Sequence, residues 1–393
     1  MNMLLAALLA TCLQDEPDPK PKPEKPAKKE KAADWQLSWA ARIDLDYNSN
    51  IWLLDGDDGD RLLDDLSADQ ISGRFDGMES IEDWIVNPSI RFAAKGPSPF
   101  GRKLDVHAEL EVQQYAVNGE RSYLRARLGA DQSVGKDGKL ELDLSLIPDY
   151  FHKNYLVDAT DFTGSNSASE RIYDSAHYLE FELGLKYRHT LVQGGEVELD
   201  GVVSIGLRAR QHDSTFAGRN EFGLPLELGV RAKAWKRVKA KLAFQFEPID
   251  SPVKGEVLLL DEPAFAADLN GDGDMTDTNA RTVQSVDRSR RETSLVFGVE
   301  VDVIETVAVA LALTRTWKDW SSGEAFDVSH RDRSDVQDKI EFVVKVQFSK
   351  QWEGRIGVER TVQGTDRPAD PGASGETSDY QRNVFTFAAI FRW

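Results

Sequence analysis

The sequence lacks three features that would place it in a common class of proteins. Its 393 residues include one cysteine, Cys12, which excludes an intramolecular disulfide and any zinc site built from several cysteines. It has no apolar run of roughly 18 residues, the length that a membrane-spanning helix needs, and its mean hydropathy is −0.45. Basic residues are outnumbered 67 to 48, which gives a net charge of −19. We therefore expect no nucleic-acid partner, because the chain has no excess of positive charge to neutralise phosphates.

Aromatic side chains alternate with other residues at the carboxyl-terminal end of the sequence. Phe385, Phe387, Ala389, Phe391 and Trp393 fall on one side of a strand. The wall of a transmembrane barrel has this pattern, in which lipid-facing residues alternate with lumen-facing ones. Mean hydropathy does not detect such strands, since each apolar residue is averaged with a polar neighbour.

The same alternation recurs along most of the chain. The first segment runs from Trp35 to Tyr47 and keeps its apolar residues on one face over its whole length. Comparable segments follow at 83–94, 104–116, 122–131, 139–148, 178–188, 196–209, 222–234, 238–248, 293–303, 307–317, 336–348, 352–362 and 381–393. The predicted fold class is all-β: a closed, antiparallel, up-and-down transmembrane β-barrel of roughly 14 strands, with 12 or 16 as alternatives.

Short and long connections alternate between these segments. Short links near 96–103, 132–138, 190–195, 236–237, 304–306 and 350–351 predict one end of the barrel, and longer links such as 149–177 and 249–292 predict the other. Tryptophans fall near both ends. Trp35, Trp235, Trp352 and Trp393 map to the end with short links, and Trp84, Trp317 and Trp320 map to the opposite end. Two such girdles are typical of a protein that crosses a bilayer.

From about residue 34 onwards the chain resembles the Gram-negative outer-membrane β-barrel proteins of the porin-like class. The resemblance lies in the aromatic last strand, the strand spacing and the tryptophan girdles. Residues 46–51, Asp-Tyr-Asn-Ser-Asn-Ile, are also similar to the Tyr-Asp-Ser-Asn-Val signature of some barrels attached to helical repeats, although such repeats are absent here. The resemblance implies a bacterial outer-membrane location, both termini in the periplasm and membrane lipid as a partner; it leaves oligomerisation open.

The amino terminus predicts export. Residues 1–14 are similar to a signal peptide, although no lysine or arginine precedes the apolar core. Leu9-Ala-Thr-Cys12 resembles a lipobox with an unusual threonine, so lipidation of Cys12 and ordinary signal removal are both open. Residues 15–33 are rich in proline and lysine and predict a disordered periplasmic linker. Residues 34–393 form the predicted barrel.

The predicted lumen face is charged. Its candidate pore-lining residues are Arg42, Asp44, Arg91, Glu109, Glu111, Arg125, Arg127, Glu180, Glu182, Arg208 and Arg210. Charged groups need water or one another in an interior, and 14 strands enclose more space than side chains fill in an eight-stranded barrel. A hydrated pore is the first interpretation, and a lumen plugged by salt bridges and inward-folded loops is the alternative.

Three stretches of the wall refine this interpretation. Pairing around the turn at Asn118-Gly119 sets Glu111 opposite Arg125 and Glu109 opposite Arg127, which predicts two ion pairs that brace the wall. A second group has no obvious acidic neighbour and predicts a solvated rim or an anion-attracting ring: Arg231, Lys233, Lys239 and Lys241. A third group has only small side chains and predicts free volume for a solute or an inward-folded loop: Ala308, Ala310, Ala312, Thr314 and Thr316.

The long link after the ninth strand contains a candidate metal site. Residues 268–277 match the opening of an EF-hand-type calcium loop, with oxygen ligands at alternate positions and Gly273 at the turn. The predicted ligands are Asp268, Asn270, Asp272, Asp274 and Asp277. Asn279 occupies the twelfth position, where a glutamate is expected. A structural calcium ion is one interpretation and an acidic, solvated loop is the other.

No catalytic residues or organic cofactor are predicted. Asp105 and His107 share a face, but they lie near the end with short links, and the other acid and histidine pairs have spacings that are common by chance. We therefore expect a channel for small hydrophilic solutes or ions, with passive or weakly selective diffusion and no enzymatic activity. The alternative is a non-conducting adhesin or assembly barrel that uses its long acidic extracellular loops.

Overall fold

The computed structural model describes most of the chain after residue 34. The described residues are 35–54, 60, 62–63, 78–98, 102–160, 170–214, 216, 219–251, 255–258, 283–286, 288–322, 333–366 and 379–393. Trp35–Trp393 form one structural unit. The predicted signal segment, linker and calcium loop lie outside the described residues. Among the described residues, no helix is long and apolar enough to cross a lipid bilayer.

Strands make up nearly all of the described structure. In chain order they are β1 Gln36–Asn48, β2 Asp83–Pro97, β3 Lys103–Tyr115, β4 Tyr123–Val134, β5 Gly138–Thr160, β6 Glu170–Gly194, β7 Val197–His212, β8 Glu221–Gly223, β9 Leu226–Ala234, β10 Val238–Asp250, β11 Gly255–Leu258, β12 Val283–Val286, β13 Arg290–Ile304, β14 Val307–Trp320, β15 Ser334–Gln347, β16 Trp352–Asp366 and β17 Tyr380–Arg392. One short 3-10 helix, Gly119–Arg121, lies between β3 and β4.

The sheet closes on itself. Each strand pairs antiparallel with its neighbours in chain order, and β1 pairs with β17 from Ala40 opposite Arg392 to Asn48 opposite Val384. The strands β8 and β9 share one place in the wall, between β7 and β10, while β11 and β12 form a separate two-stranded ladder. The described strands therefore fill 14 places of a closed barrel. The prediction of an all-β up-and-down barrel with roughly 14 strands is confirmed.

One wall position is broken in the middle. The sequence predicts a continuous strand over 222–234, but β8 ends at Gly223 and β9 begins at Leu226. Pro225 has no N–H to donate to a ladder, so a central strand is interrupted where it occurs. The neighbours compensate in part. The amide of Gly206 on β7 donates to the carbonyl of Pro225 at 2.8 Å, and that of Leu224 donates to the carbonyl of Pro248 on β10 at 3.1 Å.

Another difference concerns the predicted link 149–177. There β5 continues to Thr160 and β6 begins at Glu170, so the two strands form a long hairpin. Register irregularities interrupt this ladder between Ile147 and Tyr150, between Phe151 and Lys153, and again further along. Each irregularity shifts the alternation by a residue, which removes the period-2 signal from the sequence.

The two faces of the wall differ as predicted. Large apolar side chains alternate onto one face and are widely exposed there, including Leu37 at 82%, Leu228 at 64% and Ile356 at 55%. The aromatic residues of the last strand lie on this convex face, where Phe385 and Phe387 are both exposed. Close to the end with long connections, the same face carries one exposed ion pair, Arg315 with Asp338 at 3.3 Å.

The tryptophans lie at the two predicted ends, but one of them faces inward. Trp84 and Trp317 are exposed on the convex face. Trp320 lies opposite Arg290, and its ring packs under the guanidinium groups of Arg290 and Arg333 at 5.0 and 4.8 Å. Its indole N–H donates to Asp335 at 3.2 Å. Trp320 therefore belongs to the interior rather than to a lipid-facing girdle.

A buried carboxylate ties two connections together. Asp83, at the start of β2, is 2% exposed and accepts hydrogen bonds from the backbone amides of Ala116, Val117 and Asn118. The side-chain oxygen of Asn118 in turn accepts from the amides of Glu79 and Ser80 at 2.9 and 3.2 Å. The loop after β3 is thereby fixed to the connection that precedes β2.

The assignment of the two faces can be tested with neighbouring residues of β17. Phe387 lies on the convex face and Thr386 on the opposite face, where it stands across from Asp46. We expect Phe387→Lys to lower the free energy of unfolding in lipid vesicles by about 2–4 kcal/mol, since it places a charge against the bilayer centre. Thr386→Lys is the matched control and should cost less than about 1 kcal/mol, because its ammonium group lies beside a carboxylate.

The measurement is urea unfolding in vesicles, followed by the heat-dependent gel shift of the folded barrel. Equal losses of stability for the two variants would contradict the face assignment.

Candidate pore lumen

Side chains two strands apart meet on the polar face. Arg290 on β13 reaches across β10 to Glu221 on β8, with 2.7 Å between Nη1 and Oε1. Lys318 on β14 donates from Nζ across β15 to Oε1 of Gln363 at 3.1 Å. A closed sheet brings side chains together on its concave side and spreads them on its convex side. These contacts therefore identify the polar face as the lining of the lumen.

The predicted ion pairs beside the β3–β4 connection are present. The register sets Glu111 opposite Arg125 and Glu109 opposite Arg127, and the closest N–O distances are 3.4 and 3.5 Å. Arg127 also reaches Glu111 at 3.1 Å. All four side chains are partly exposed, so they brace the wall while remaining accessible to water.

Three other predicted lumen residues lie on β1 and β2. Arg42 forms an ion pair with Asp44 on the same strand at 2.7 Å. Arg91 stands opposite Glu109 in register but forms no ion pair with a described residue. Glu182 on β6 also forms no ion pair with a described residue. The structure therefore leaves one cation and one anion of the predicted set without an ionic partner in its described part.

The remaining predicted residues form ion pairs around β7. Arg210 on β7 pairs with Glu180 on β6 at 2.6 Å. Arg208 reaches across the broken wall position to Glu247 on β10 at 2.9 Å. Whether any residue of the predicted set governs conduction stays a prediction.

The sequence interpretation missed a buried ionic network. Glu221 on β8 pairs with Arg290 and also with Arg210 at 3.5 Å, and Arg290 forms a second pair with Glu292 at 2.8 Å. The Arg290 side chain is only 10% exposed. Glu221 and Arg290 are 69 residues apart, so no local spacing could have joined them. The only signal in the sequence was the presence of a glutamate shortly before Pro225 and of an arginine after the long connection.

The expectation for the basic residues around the β9–β10 turn is wrong for two of them. The sequence predicts no acidic neighbour for Arg231, Lys233, Lys239 and Lys241. In the barrel, Lys239 pairs with Glu300 at 2.6 Å and Lys241 pairs with Glu227 at 3.2 Å. Glu300 comes from β13, which neighbours β10 only after the long intervening connection. An uncompensated ring of four cations is therefore absent from this turn.

The wall of small residues on β14 is partly covered. Lys345 on β15 crosses β14 to form an ion pair with Glu300 on β13, and Ser294 and Thr316 share a hydrogen bond of 2.8 Å. Long side chains from neighbouring strands therefore occupy part of the predicted free volume.

The broken wall position opens a recess on the concave face. We call it the wall recess; its volume is about 300 Å³, and it is lined by Ser204, Pro225, Leu226, Glu227, Gln245, Phe246, Glu247, Glu292, Ser294, Thr316, Lys318 and Gln337. Gly206 makes room for the ring of Pro225. A Cβ at this position would come within 2.9 Å of the Pro225 ring, which leans over the glycine.

The acid and histidine pair on β3 does not form a contact in the barrel. Asp105 instead pairs with Lys95 at 3.0 Å. The ring of His107 lies over Gly129, where a Cβ would stand 2.3 Å from it. His107 thus packs against the wall at Gly129, on the side of Asp143 and not of Asp105.

A different acid and histidine contact occurs between β5 and β6. Nδ1 of His177 lies 2.9 Å from Oδ1 of Asp149, and both side chains are well exposed. An exposed pair of this kind is a common surface feature. Elsewhere in the described ranges, no three histidine, cysteine or acidic side chains converge as metal ligands. The predicted calcium ligands lie outside the described ranges.

Comparison with known proteins gives matches in structure alone. No family model matches the sequence, and no curated protein matches it. The anion-selective porin from Comamonas acidovorans is similar over 92% of this chain and 100% of its own, with 9% identity and a TM-score of 0.40. The outer-membrane channel DcaP of Acinetobacter baumannii is similar over 93% and 99%, with 12% identity and a TM-score of 0.41. Pseudomonas aeruginosa OpdK is similar over 91% of this chain and 99% of its own, with 8% identity and a TM-score of 0.38.

The buried network gives a stability test. Arg290→Ala leaves the carboxylates of Glu221 and Glu292 without their main partner, so we expect the free energy of unfolding to fall by about 3–5 kcal/mol. Arg42→Ala is the control. The Arg42 side chain is 40% exposed, and loss of its ion pair should cost no more than about 1 kcal/mol. Urea unfolding in vesicles measures both, and a loss below about 1 kcal/mol for Arg290→Ala would show that the network contributes nothing.

Proposed function

We propose that this chain is an outer-membrane channel that passes small hydrophilic solutes or ions by passive or weakly selective diffusion. The observation that carries the proposal is the closed barrel with an apolar convex face and a charged concave face. A lipid bilayer requires every backbone polar group to be paired within the protein, and a closed sheet meets that requirement. The strands, mostly 13 residues or longer, exceed the 9–11 residues that a tilted crossing needs.

The arrangement of charges supports a water-filled lumen. Most of the lumen carboxylates and cations described above pair with other wall residues, such as Glu111 with Arg125 and Glu247 with Arg208. No infolded segment is needed to satisfy them. Several members of these pairs remain partly exposed, such as the Arg127 side chain at 40%, and partly exposed charges require water. Fourteen strands provide a lumen wider than the filled interior of an eight-stranded barrel.

The same pairing supports weak selectivity. Ion pairs of opposite sign along one wall largely cancel at the distance of a passing ion. The net charge of the whole chain is −19, which weakly favours cations at the mouth of the channel. The short connections and both termini face the periplasm in this proposal, and no reaction is assigned to the barrel.

Single-channel recording tests the proposal. The full chain, purified from the outer membrane of a Gram-negative host, should give steady ohmic currents in a planar bilayer and a small reversal potential that indicates cation preference. Glu182→Lys should move the reversal potential towards anions, because the replaced carboxylate has no cationic partner in the described part of the lumen. A heat-modifiable barrel that passes no current would overturn the channel and favour binding by the long acidic loops.

We also propose that the connection between β10 and β13 binds one calcium ion. The support is the residue pattern, in which Asp268, Asn270, Asp272, Asp274 and Asp277 supply the oxygen ligands that calcium prefers. Extracellular calcium modules have dissociation constants of about 10⁻⁴–10⁻³ M. A site of that strength would be filled outside the cell and would act as a structural clamp.

Calcium titration calorimetry tests this site. We expect one ion per chain with a dissociation constant of about 10⁻⁴–10⁻³ M, and loss of that binding in the double variant Asp272→Asn with Asp274→Asn. The control variant is Asp57→Asn with Asp58→Asn in the acidic run 55–60, which should bind calcium as the unmodified chain does. Binding that is equal in both double variants would place the ion elsewhere.

A further inference from the structure

We propose that the wall recess is a binding subsite for a neutral, polyhydroxylated solute the size of a monosaccharide. The inference rests on the proposed channel function, since a solute reaches this site only through the lumen. It adds to that function a preferred class of solute and a position for it on the wall.

The recess is built into the backbone rather than left by a mobile side chain. Pro225 interrupts the strand, and its ring leans over Gly206, where any side chain would collide with it. Both features belong to the concave face. The carbonyl of Pro225 is held by the amide of Gly206 at 2.8 Å, so the break has a defined geometry. The ring of Pro225 provides the only aliphatic ring in the lining, a surface suited to the C–H face of a sugar.

The three carboxylates at the recess are already compensated, and the ammonium group of Lys318 donates to Gln363 at 3.1 Å. Glu227 accepts from Lys241 at 3.2 Å and from Gln245 at 2.7 Å. The other two carboxylates of the lining, Glu247 and Glu292, are paired with arginines at 2.9 and 2.8 Å. A cationic solute that enters would have to displace one of these partners, and an anionic solute would meet three carboxylates, so either one would carry an electrostatic cost. A neutral solute avoids this cost.

Several hydrogen-bonding groups of the recess have capacity that the described residues leave unused. Oε1 of Glu227 is buried and has no hydrogen-bond partner among the described residues. The side-chain carbonyl oxygens of Gln245 and Gln337 likewise accept no hydrogen bond within the described ranges. The hydroxyls of Ser294 and Thr316 bond each other and retain further accepting capacity.

These groups match the chemistry of a sugar. Acceptors predominate, and a polyol offers many hydroxyl donors at short spacing. The amino group of Lys318 adds a donor for a ring or hydroxyl oxygen. A hydroxyl donates and accepts hydrogen bonds as a water molecule does, so a polyol loses little hydrogen bonding when it leaves the solvent. The volume of about 300 Å³ lies at the lower end of the range for ligand pockets and suits a single sugar ring.

Two chain positions allow the recess to be altered in different ways. Glu227→Gln keeps the shape but removes the charge from the buried acceptor. Ser294→Leu fills the space from the opposite side. Glu198→Gln is the matched control, because it makes the same chemical change on β7 near the turn end, opposite Lys233 and outside the lining.

The experiment measures glucose binding to the full chain by saturation-transfer NMR in detergent and by block of single-channel current. L-lysine and succinate serve as charged probes of similar size. We expect glucose to bind and to reduce the current, with binding lost in Ser294→Leu and weakened about tenfold in Glu227→Gln, the loss of one hydrogen bond to a charged group. Glu198→Gln should bind glucose as the unmodified chain does. The gel shift confirms that each variant is folded.

The outcomes separate this inference from the channel itself. Glucose binding that survives in Ser294→Leu, or preferential binding of L-lysine or succinate that Ser294→Leu abolishes, would overturn the polyol subsite even if currents are normal. Absence of current would overturn the channel, and the NMR measurement would still decide whether the recess takes glucose. Loss of glucose binding in Glu198→Gln to the same degree as in Glu227→Gln would show that the effect is not specific to the recess.

Discussion

The pairing of the first strand with the last is the constraint on which the rest of the structure depends. Nine residue pairs join β1 to β17, and the amides of Trp39 and Trp393 exchange hydrogen bonds with each other's carbonyls at 3.1 and 2.9 Å. Without this pairing, the sheet would expose two rows of unpaired backbone groups, which lipid does not tolerate. Closure also requires an even number of wall positions in an antiparallel sheet, so both ends of the barrel chain lie at the same rim.

Closure divides the side chains into two environments with opposite demands. On the convex face, neighbouring residues such as Leu45 and Phe387 stand side by side and form an apolar surface that needs no specific partner. On the concave face, charges must find partners, because side chains converge there. Buried ion pairs add little net stability compared with apolar residues. Their value in this barrel is specificity: a one-residue slip in register would turn every charge towards lipid and every apolar residue towards water.

The sequence predicts those parts of the structure that depend on short-range alternation. Strand positions, face assignment and the pairing of Glu109 with Arg127 follow from a period of two and from one tight connection. The pair of Glu221 with Arg290 does not, since a long connection separates the two residues and only the ring order brings them together. Trp320 also depends on contacts between distant segments. Its place at the loop end was predictable, whereas its inward orientation depends on arginines from two other segments. The extensions of β5 and β6 were missed because bulges break their alternation.

The broken wall position depends both on short-range alternation and on contacts between distant residues. Pro225 lies within a sequence that alternates well, so its neighbours predict a continuous strand, but a proline in a central strand removes a ladder hydrogen bond. The structure accommodates the loss by binding both sides of the break through long side chains: Glu221 to Arg290 above it and Glu227 to Lys241 below it. A break that is held on both sides does not propagate, because its flanking strands stay in register with β7 and β10. What remains is a local recess in the concave face, lined by the paired carboxylates of Glu247 and Glu292 and by uncharged side chains such as those of Gln245 and Ser294.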